Sequence, residues 1–575
     1  MKKKIFLAAT LICSLLFISI VYRDIVLSPN SVLLSQYVDG TVNYYNFINH
    51  VKHDSSPLVC GGLNYPRGEC VTYTDCFPVF SSTLLLASKI FPSLPDHSVA
   101  FLNLLLLFSI ALSALFLYLI LYHFTSSALF SFIGSFSISM LSSHVFLWFF
   151  GHYALSLQWP FTLAWWLMIK FRHTGSKVLV SSCIIIITTL LFFTHSYLGA
   201  MVISFNFLVM CFEFMKKERR DSLLNLLQVV IPLSLYALFQ VYADTHASRP
   251  VMSLSPEHRA TFASIFLPRH GGLLQPLFAI VFDYNSLDQY SWNQIGNYVG
   301  LSTLLVSIIA LFSRTRERAS WKDLLMNLFS PSGYSVWMLP SLLILLYAMG
   351  VHFFLHLDGL VSLLPMATQV IAIGRFAWVF YFVFTVWGVI MMHRAYTRSK
   401  AGKIFSLAFL LLLLGEGTSQ QIFMSRNIQL SPNVFSEQNM PGNLYGVLHS
   451  GRIDFSRYQA IIPLPFYNKY FTPCFKDGSL RSTNESLALS YYTGLPLVSI
   501  FSSRPSSLES EHTQSLFSGN LDGFFKAPYL GKPYLVFYTR EVLPADEQLF
   551  LSCCSLLYEN QAVAMYSLSP ATGVK

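Results

Sequence analysis

Long apolar stretches alternate with short polar connections along most of this chain, and one long polar segment interrupts them near the start. Stretches of about 18 residues or more are apolar enough to be read as helices that span a membrane. They fall at about residues 5–26, 99–122, 126–148, 153–171, 177–195, 197–215, 223–242, 297–313, 335–355, 371–392 and 404–420. The pattern therefore predicts an all-α polytopic membrane domain over residues 1–420, with about eleven transmembrane helices.

The polar segment is the loop 28–98, between the first and second apolar stretches. Most connections between neighbouring elements have only a few residues, and longer ones are usually functional. This loop carries Asp39 soon after the first span and Asp75 further on. We therefore expect the chemistry of the protein to lie in this first loop.

The tail, residues 421–575, has a different pattern. Apolar runs such as Tyr458–Leu464 and Tyr534–Tyr538 are broken by Pro, Gly, Ser and Asn. Short apolar runs between turn-forming residues are typical of strands. We therefore predict a small C-terminal α/β domain here.

Composition and charge orient the chain. Hydrophobic residues make up 54% of the sequence and charged residues 11%, whereas soluble domains carry about 25% charged residues. The excess of Lys and Arg, a net charge of +9, is concentrated in short clusters between spans, at 2–4, 170–177, 216–220, 314–322 and 393–403. This is the positive-inside pattern and not a nucleic-acid surface.

The orientation that follows has a cytoplasmic N-terminus. The first loop, the segment 243–296 and the tail then lie outside, so the tail is an extracytoplasmic domain. Arg23 follows the first apolar run without a small-residue cleavage site. We therefore expect an uncleaved first span and no removed signal peptide.

Ionisable residues near a membrane are costly, so each is a functional candidate. In the orientation above, the unusual ones share the outer level of the membrane, facing the loop with Asp39 and Asp75. They are His144, His152, His195, Arg269, His270, His352, His356, Asp358 and Arg375. Arg375 is the strongest of these, because a full positive charge so near a span needs an anion or a path to the interface.

Each of the two acids also has a structural interpretation. Asp39 followed by Gly40 is a good turn signal. Asp75, shortly before Phe77 and Pro78, could cap an interfacial helix. A single histidine near an interface is more often an ordinary surface group than a ligand.

Six cysteines are expected outside, where disulfides can form. They are Cys60, Cys70, Cys76, Cys474, Cys553 and Cys554. The spacing of the first three lacks the close pair that zinc sites commonly use, so it does not predict a zinc site.

The chemistry consistent with this pattern is transfer of a sugar from a lipid-phosphate donor. Such a reaction needs a carboxylate that deprotonates the acceptor hydroxyl, and cationic groups that hold the leaving phosphate. Asp39, with Asp75 as the next acid, fits the first role. The predicted phosphate-binding residues are Arg375, Arg269, His352, His356, His195 and His152.

With its cytoplasmic start, large first outer loop with an early acid, many spans and exported tail, the chain resembles the GT-C class of membrane glycosyltransferases. The segments Pro66–Glu69, Thr74–Pro78 and Gly374–Trp378 also resemble motifs of bacterial multi-pass proteins grouped near this class. The resemblance implies a GT-C-like fold over residues 1–420 and assigns the catalytic base to the position of Asp39.

The resemblance also implies partners and a location. The partners are a polyprenyl-phosphate-sugar lipid and an envelope glycan or lipid acceptor, with no nucleic acid. The location is the bacterial inner membrane. No cofactor is predicted, and a divalent metal has no support, because the first loop has no Asp-x-Asp or Glu-x-Asp pair.

Three other functions compete with this one. A transporter or flippase of lipid-linked saccharides would show polar groups at mid-membrane or two related halves, and we find no repeat and no charge inside a span. A polymerase or ligase of surface polysaccharide shares the donor and the outer site. A non-enzymatic assembly or adhesion protein would use the tail as a binding module.

Overall fold

The computed structural model describes residues 2–35, 38–215, 221–246, 249, 256–268, 272–281, 297–315, 333–357, 359, 370–467, 479–499, 506–519, 521–525 and 531–569. Helices dominate it up to residue 427. They are α1 (Lys2–Val21), α2 (Arg23–Leu27), α3 (Val38–His53), α4 (Pro78–Ser88), α5 (Ser98–Thr125), α6 (Ala128–Leu141), α7 (Trp159–His173), α8 (Lys177–Thr194), α9 (Ser196–Met215), α10 (Ser222–Ala243), α11 (Phe262–Phe266), α12 (Gln275–Val281), α13 (Leu301–Thr315), α14 (Ser335–Ala348), α15 (Val351–Phe354), α16 (Ala377–Arg398) and α17 (Lys400–Asn427).

Every apolar stretch that the sequence marked as a span contains one of these helices. Eight of the described helices, some with a short 3-10 extension, are long and apolar enough to cross a membrane. They are α1, α5, α6, α8, α9, α10, α16 and α17. The three other predicted spans form the shorter helices α7, α13 and α14, of 15, 15 and 14 residues. The chain is therefore a polytopic membrane protein.

Helix α16 lies at the centre of the membrane helices. Of its most apolar 18-residue stretch, 89% is buried inside the protein, whereas the corresponding share for α1, at the periphery, is 17%. It packs against α13, α14 and α17, and its buried face is rich in Phe, Val and Trp, which fill this space closely. The start of α16, preceded by the 3-10 turn Ile373–Phe376, is consequently held rigidly.

Glu416 of α17 corrects the expectation that no charge lies inside a span. Its side chain is buried and accepts hydrogen bonds from Ser302 Oγ (2.6 Å), the Leu301 N–H (2.9 Å) and the Tyr298 hydroxyl (2.8 Å). These donors surround the first turn of α13, whose N–H groups have no partner within their own helix. The carboxylate therefore caps α13, and its role here is structural.

Short strands and the helices of the tail complete the fold. The strands are β1 (Val32–Leu33), β2 (Val59–Cys60), β3 (Glu69–Cys70), β4 (Ser431–Pro432), β5 (Ile461–Leu464), β6 (Tyr534–Tyr538), β7 (Ser555–Glu559) and β8 (Ala564–Leu568). The tail helices are α18 (Gly442–His449), α19 (Ser479–Thr493), α20 (Ser507–Gln514), α21 (Leu521–Phe524) and α22 (Ala545–Ser552).

A four-stranded sheet organises the described part of the tail, in the order β5-β6-β8-β7. Strands β5 and β6 are parallel, with Ile461 opposite Leu535, and the other two pairs are antiparallel. Both apolar runs that the sequence marked as strands lie in this sheet. One face, including Ile462 and Val536, packs on the aromatic rings of Phe517 and Phe550.

The first loop is held between the membrane helices and the tail. Strand β1 pairs antiparallel with β4, which joins the start of the loop to the start of the tail. Helix α3 packs on α19, where the Tyr45 hydroxyl lies 2.6 Å from Ser490 Oγ and His53 Nε2 lies 2.7 Å from the Tyr491 carbonyl. The loop is therefore an ordered part of the protein core.

Candidate functional site

Asp39 lies in the first turn of α3, so the expectation of a turn at Asp39-Gly40 is wrong. Glycine is needed at position 40 because a Cβ there would lie 2.8 Å from both Ser35 Cβ and the Tyr153 hydroxyl. Gly151, with φ of +77°, packs against the backbone of Gly40 from the other side. This close approach of two glycines fixes Asp39 against the segment that follows α6.

Asp75 does not cap α4, which corrects the second structural interpretation. The N-cap position is Phe77, and no side chain caps this helix. Asp75 and Phe77 both have φ of +52°, a left-handed conformation that costs energy for residues other than glycine. This strained turn directs the Asp75 carboxylate toward His195, whose Nε2 lies 3.4 Å from Asp75 Oδ1.

His195 separates α8 from α9, and its hydrogen bonds define its tautomer. The Tyr197 N–H donates to His195 Nδ1 at 3.3 Å. Because Nδ1 accepts this bond, the ring proton of a neutral His195 lies on Nε2 and points toward Asp75. A histidine from the membrane helices thus orients an acid of the first loop.

Arg375 lies in the 3-10 turn before α16 and is 8% exposed. Its guanidinium carbon lies 5.0 Å from the centre of the Tyr197 ring, a cation–π distance. The Tyr197 hydroxyl accepts a hydrogen bond of 2.8 Å from the Ala372 N–H, which holds the ring in place. Among the described residues, Arg375 forms no ion pair with a carboxylate, and its Nε is buried without a hydrogen-bond partner.

The charges of these groups act on one another. Burial, with a further contribution from the charge of Asp75, raises the pKa of Asp39 to about 6. Neighbouring protein groups oppose the ionisation of Asp75, whose side chain is 55% exposed, but the hydrogen bond to His195 and the charge of Arg375 lower its pKa. Burial and the neighbouring Arg375 lower the pKa of His152 to about 3, so this imidazole is neutral. The site therefore holds one carboxylate ready to accept a proton near neutral pH and one that stays ionised.

The structure brings together five of the eight residues that the sequence analysis proposed for the site. They are Asp39, Asp75, His152, His195 and Arg375. His352 lies one layer further out, because its ring stacks on Tyr347 at 5.1 Å and Tyr347 packs edge-on against Phe376. His356 is exposed, and no described contact joins it to the cluster. Arg269, like Asp358 and His270, lies outside the described residues.

Three further residues belong to this cluster and were missed. Tyr197 supports Arg375, and its position two residues after His195, at the junction of two predicted spans, was a usable signal. His258, in the 3-10 turn Pro256–His258, lies near enough to Arg375 for that charge to help burial lower the pKa of His258. Tyr153 places a buried hydroxyl beside Gly40, without a hydrogen-bond partner among the described groups.

The Pro66–Glu69 segment of the first loop takes part in a separate network of charged residues. Glu69 is fully buried and pairs with Arg249, which also binds Asp244 at 2.5 Å. Glu509 of the tail lies 2.5 Å from His246 Nδ1 and accepts a hydrogen bond of 2.6 Å from Asn64. Burial raises the pKa of Glu69 even though Arg249 opposes that shift. The network ties the loop to the tail and is a structural feature.

Two groups of described residues have the composition and spacing of metal ligands, and neither includes Asp39 or Asp75. One is Glu69, Asp244 and His246, where Arg249 already supplies the positive charge. The other is His50, Asp54 and Cys60. The titratable groups of the candidate site are a carboxylate with a raised pKa, a carboxylate–histidine pair and a buried guanidinium.

Comparison with known proteins adds a family. The sequence model of a domain of unknown function, DUF6311, matches residues 10–414. No curated protein has a significant sequence match. Among solved structures, the archaeal oligosaccharyltransferase AglB from Archaeoglobus fulgidus, in complex with an inhibitory peptide and a dolichol-phosphate, is similar with a TM-score of 0.48 and 12% identity, over 99% of this chain and 74% of that one. A likeness at this level carries no conclusion about activity.

Proposed function

This chain belongs to the DUF6311 family, and from the geometry of its site we propose that it is a membrane glycosyltransferase. It moves a sugar from a polyprenyl-phosphate-linked donor to a cell-envelope acceptor on the outer face of the membrane. The observation that carries this proposal is Arg375, a buried guanidinium that forms no ion pair with a carboxylate among the described residues. Its charge acts on Asp75, which in turn acts on Asp39, the acid with the raised pKa.

Arg375 is suited to a phosphate. A buried charge is costly unless it is paired, so an arginine held in this state is suited to an anion that arrives with the ligand. Guanidinium binds phosphate oxygens through two parallel N–H groups. Its position at the start of the central helix α16 lets a donor keep its lipid chain among the membrane helices while its phosphate reaches Arg375.

Asp39 is the proposed base. The acceptor hydroxyl gives its proton to the Asp39 carboxylate, and its oxygen forms a bond to the anomeric carbon of the sugar. The bond between that carbon and the phosphate oxygen breaks, and the electron pair stays on the phosphate, where Arg375 stabilises the charge. Burial, together with the charge of Asp75 beside His195, keeps the pKa of Asp39 high enough for this role.

The pH dependence of transfer follows from the Asp39 pKa. The base acts only when it is ionised, and its pKa is raised to about 6. We expect kcat/KM to increase as the pH rises through about 6 and then to level off, since this parameter reports the pKa of the free enzyme. A rise of kcat/KM centred at a pH of about 4, the ordinary pKa of a carboxylate, would argue against Asp39 as the base.

The proposed orientation is that of the positive-inside pattern, with a cytoplasmic N-terminus and the first loop and tail outside. We expect an alkaline phosphatase fusion at Lys575 to be active and one after Arg220 to be inactive, because the enzyme folds only outside the cytoplasm. The opposite pair of results would place the site on the cytoplasmic face and contradict transfer at the outer surface.

The function itself is tested by comparing cell-envelope glycans and lipid-linked sugars between a deletion strain and the wild type. We expect the deletion strain to lose one sugar from an envelope acceptor and to accumulate its lipid-linked form in the outer leaflet. Accumulation in the inner leaflet would indicate a flippase. An unchanged acceptor and donor would reject both.

A further inference from the structure

A second cluster of reactive side chains lies in the first loop, away from the proposed transfer site. It consists of His50 on α3, Asp54 directly after α3, Cys60 on β2 and Cys76 before α4. His50, Cys60 and Cys76 are buried, and the Asp54 side chain is only 7% exposed. The ligand atoms of His50, Asp54 and Cys60 all lie within 4.8 Å of one another.

The hydrogen bonds around His50 place two hydrogen-bond acceptors, His50 Nδ1 and Asp54 Oδ2, opposite each other. Ser82 Oγ donates to the Pro57 carbonyl at 2.7 Å, so it accepts from His50 Nε2, which lies 3.3 Å away. With that proton on Nε2, the Nδ1 lone pair of neutral His50 points at Asp54 Oδ2, only 2.7 Å away. Two acceptors at this distance need either a proton between them, on the imidazole or on the carboxyl group, or a cation.

Two cysteines lie beside this pair. Cys60 Sγ is 3.8 Å from His50 Nδ1, and Cys60 packs with Cys76 and Val71 in one buried cluster. Thr74 donates its hydroxyl proton to the Val71 carbonyl, so in its 3.3 Å contact with Cys60 the thiol is the donor.

The described cluster has little positive charge of its own. Asp54 forms no ion pair with Lys or Arg among the described residues; its recorded pair is with His50. Apart from a protonated His50, the described cluster has one carboxylate, two thiols and no positive charge.

We propose that His50, Asp54, Cys60 and Cys76 bind a structural zinc ion. Zinc in proteins takes four ligands from Cys sulfur, His nitrogen and carboxylate oxygen in a tetrahedron, with bonds of about 2.0–2.3 Å. Ligand atoms in such a tetrahedron are about 3.3–3.8 Å apart. The His50–Cys60 distance of 3.8 Å fits, and the 2.7 Å His50–Asp54 contact has to widen by about half an ångström.

Two features around the cluster resemble those of zinc sites. The bond from His50 Nε2 to Ser82 fixes the ring so that Nδ1 faces the site, as the second ring nitrogen of metal-bound histidines usually does. The Gly61 N–H donates to Asp54 Oδ1 at 2.9 Å, which orients the carboxylate. Binding releases the thiol protons and replaces the close contact of His50 with Asp54 by two bonds to the metal.

The ion would join the end of α3, the β2–β3 hairpin and the turn before α4 at one point. Asp39 lies at the opposite end of α3, and Asp75 is the residue before Cys76. The zinc site therefore sets the shape of the first loop and the position of its strained turn. It does not depend on the proposed transfer reaction, since its ligands are distinct from that site.

The test uses the full-length protein purified in detergent without chelator. We expect about one zinc ion per chain by elemental analysis. Cobalt exchanged into the wild type should give the strong near-ultraviolet absorption of sulfur-to-cobalt charge transfer. A zinc chelator should lower the melting temperature. These three measurements need no variant, so they stand even where a substitution prevents folding.

Variants identify the ligands. Cys60→Ser, Cys76→Ser and His50→Ala should lose the zinc. Cys70→Ser is the matched control, because Cys70 is equally buried in the same hairpin, where its thiol pairs with Thr72, and it should retain one equivalent.

Two results would overturn the proposal. One is only trace zinc in protein that has been supplied with zinc. The other is Cys60 and Cys76 that resist maleimide labelling in denatured protein until a reductant is added, which would identify a disulfide.

Discussion

Asp39→Asn is expected to reduce sugar transfer by about 10²–10⁴-fold, the range typical of a lost general base. The amide keeps the shape of the side chain in the first turn of α3 but cannot accept the proton of the acceptor hydroxyl. The raised pKa reflects a buried carboxylate whose ionisation is unfavourable, so removing the charge should leave folding and membrane insertion normal. Transfer is measured in membranes with the lipid-linked sugar that accumulates in the deletion strain.

Two substitutions act as controls for this result. Asp96→Asn removes an exposed acid near the end of the same loop and should retain wild-type transfer. Asp75→Asn removes the partner of His195 and tests the alternative base. Normal transfer in Asp39→Asn together with none in Asp75→Asn would assign the base to Asp75. Normal transfer in both would make the loop structural.

Arg375→Met is expected to reduce transfer by about 10²–10³-fold, as loss of a donor that stabilises a developing negative charge commonly does. Methionine fills similar space without charge, so a buried and unpaired charge is removed and the melting temperature should stay the same or rise. Arg375→Lys should also impair transfer, because an ammonium lacks the planar pair of N–H groups.

Arg398→Lys is the matched control for these variants. Arg398 ends the same helix and is exposed, so its replacement should leave transfer unchanged. A fall in transfer accompanied by an equal fall in folded protein would show that Arg375 supports the fold. Wild-type transfer in Arg375→Met would remove it from the site.

The sequence was most informative where long-range pattern decides structure. Continuous apolar stretches are costly to expose to water, so their presence alone predicts helices in a membrane, and each predicted span indeed contains a helix. The same reasoning selected a set of polar residues, of which His152, His195 and Arg375 do lie near Asp75, and Asp75 acts in turn on Asp39. A charge near lipid is costly wherever it occurs, so it is visible without coordinates.

Local motifs predicted the structure less reliably, because one dipeptide is compatible with several backbone conformations. Asp39-Gly40 begins a helix, and its glycine serves the contact with Gly151. Glu416 was overlooked inside an apolar stretch, although its carboxylate caps α13 from a neighbouring helix. In each case the deciding partner lies more than a hundred residues away in the sequence.

The sequence by itself determined that this is a multi-pass membrane protein with a large first loop and a tail of strands and helices. It also predicted a set of polar groups at one level of the membrane. The tertiary structure decided which groups touch: Asp75 with His195, Arg375 with Tyr197, and His50 with Asp54 and Cys60. The physical reason is that hydrophobic burial depends on composition along the chain, whereas hydrogen bonds, ion pairs and metal ligands require atoms a few ångströms apart. Only the packing of helices and loops fixes those distances.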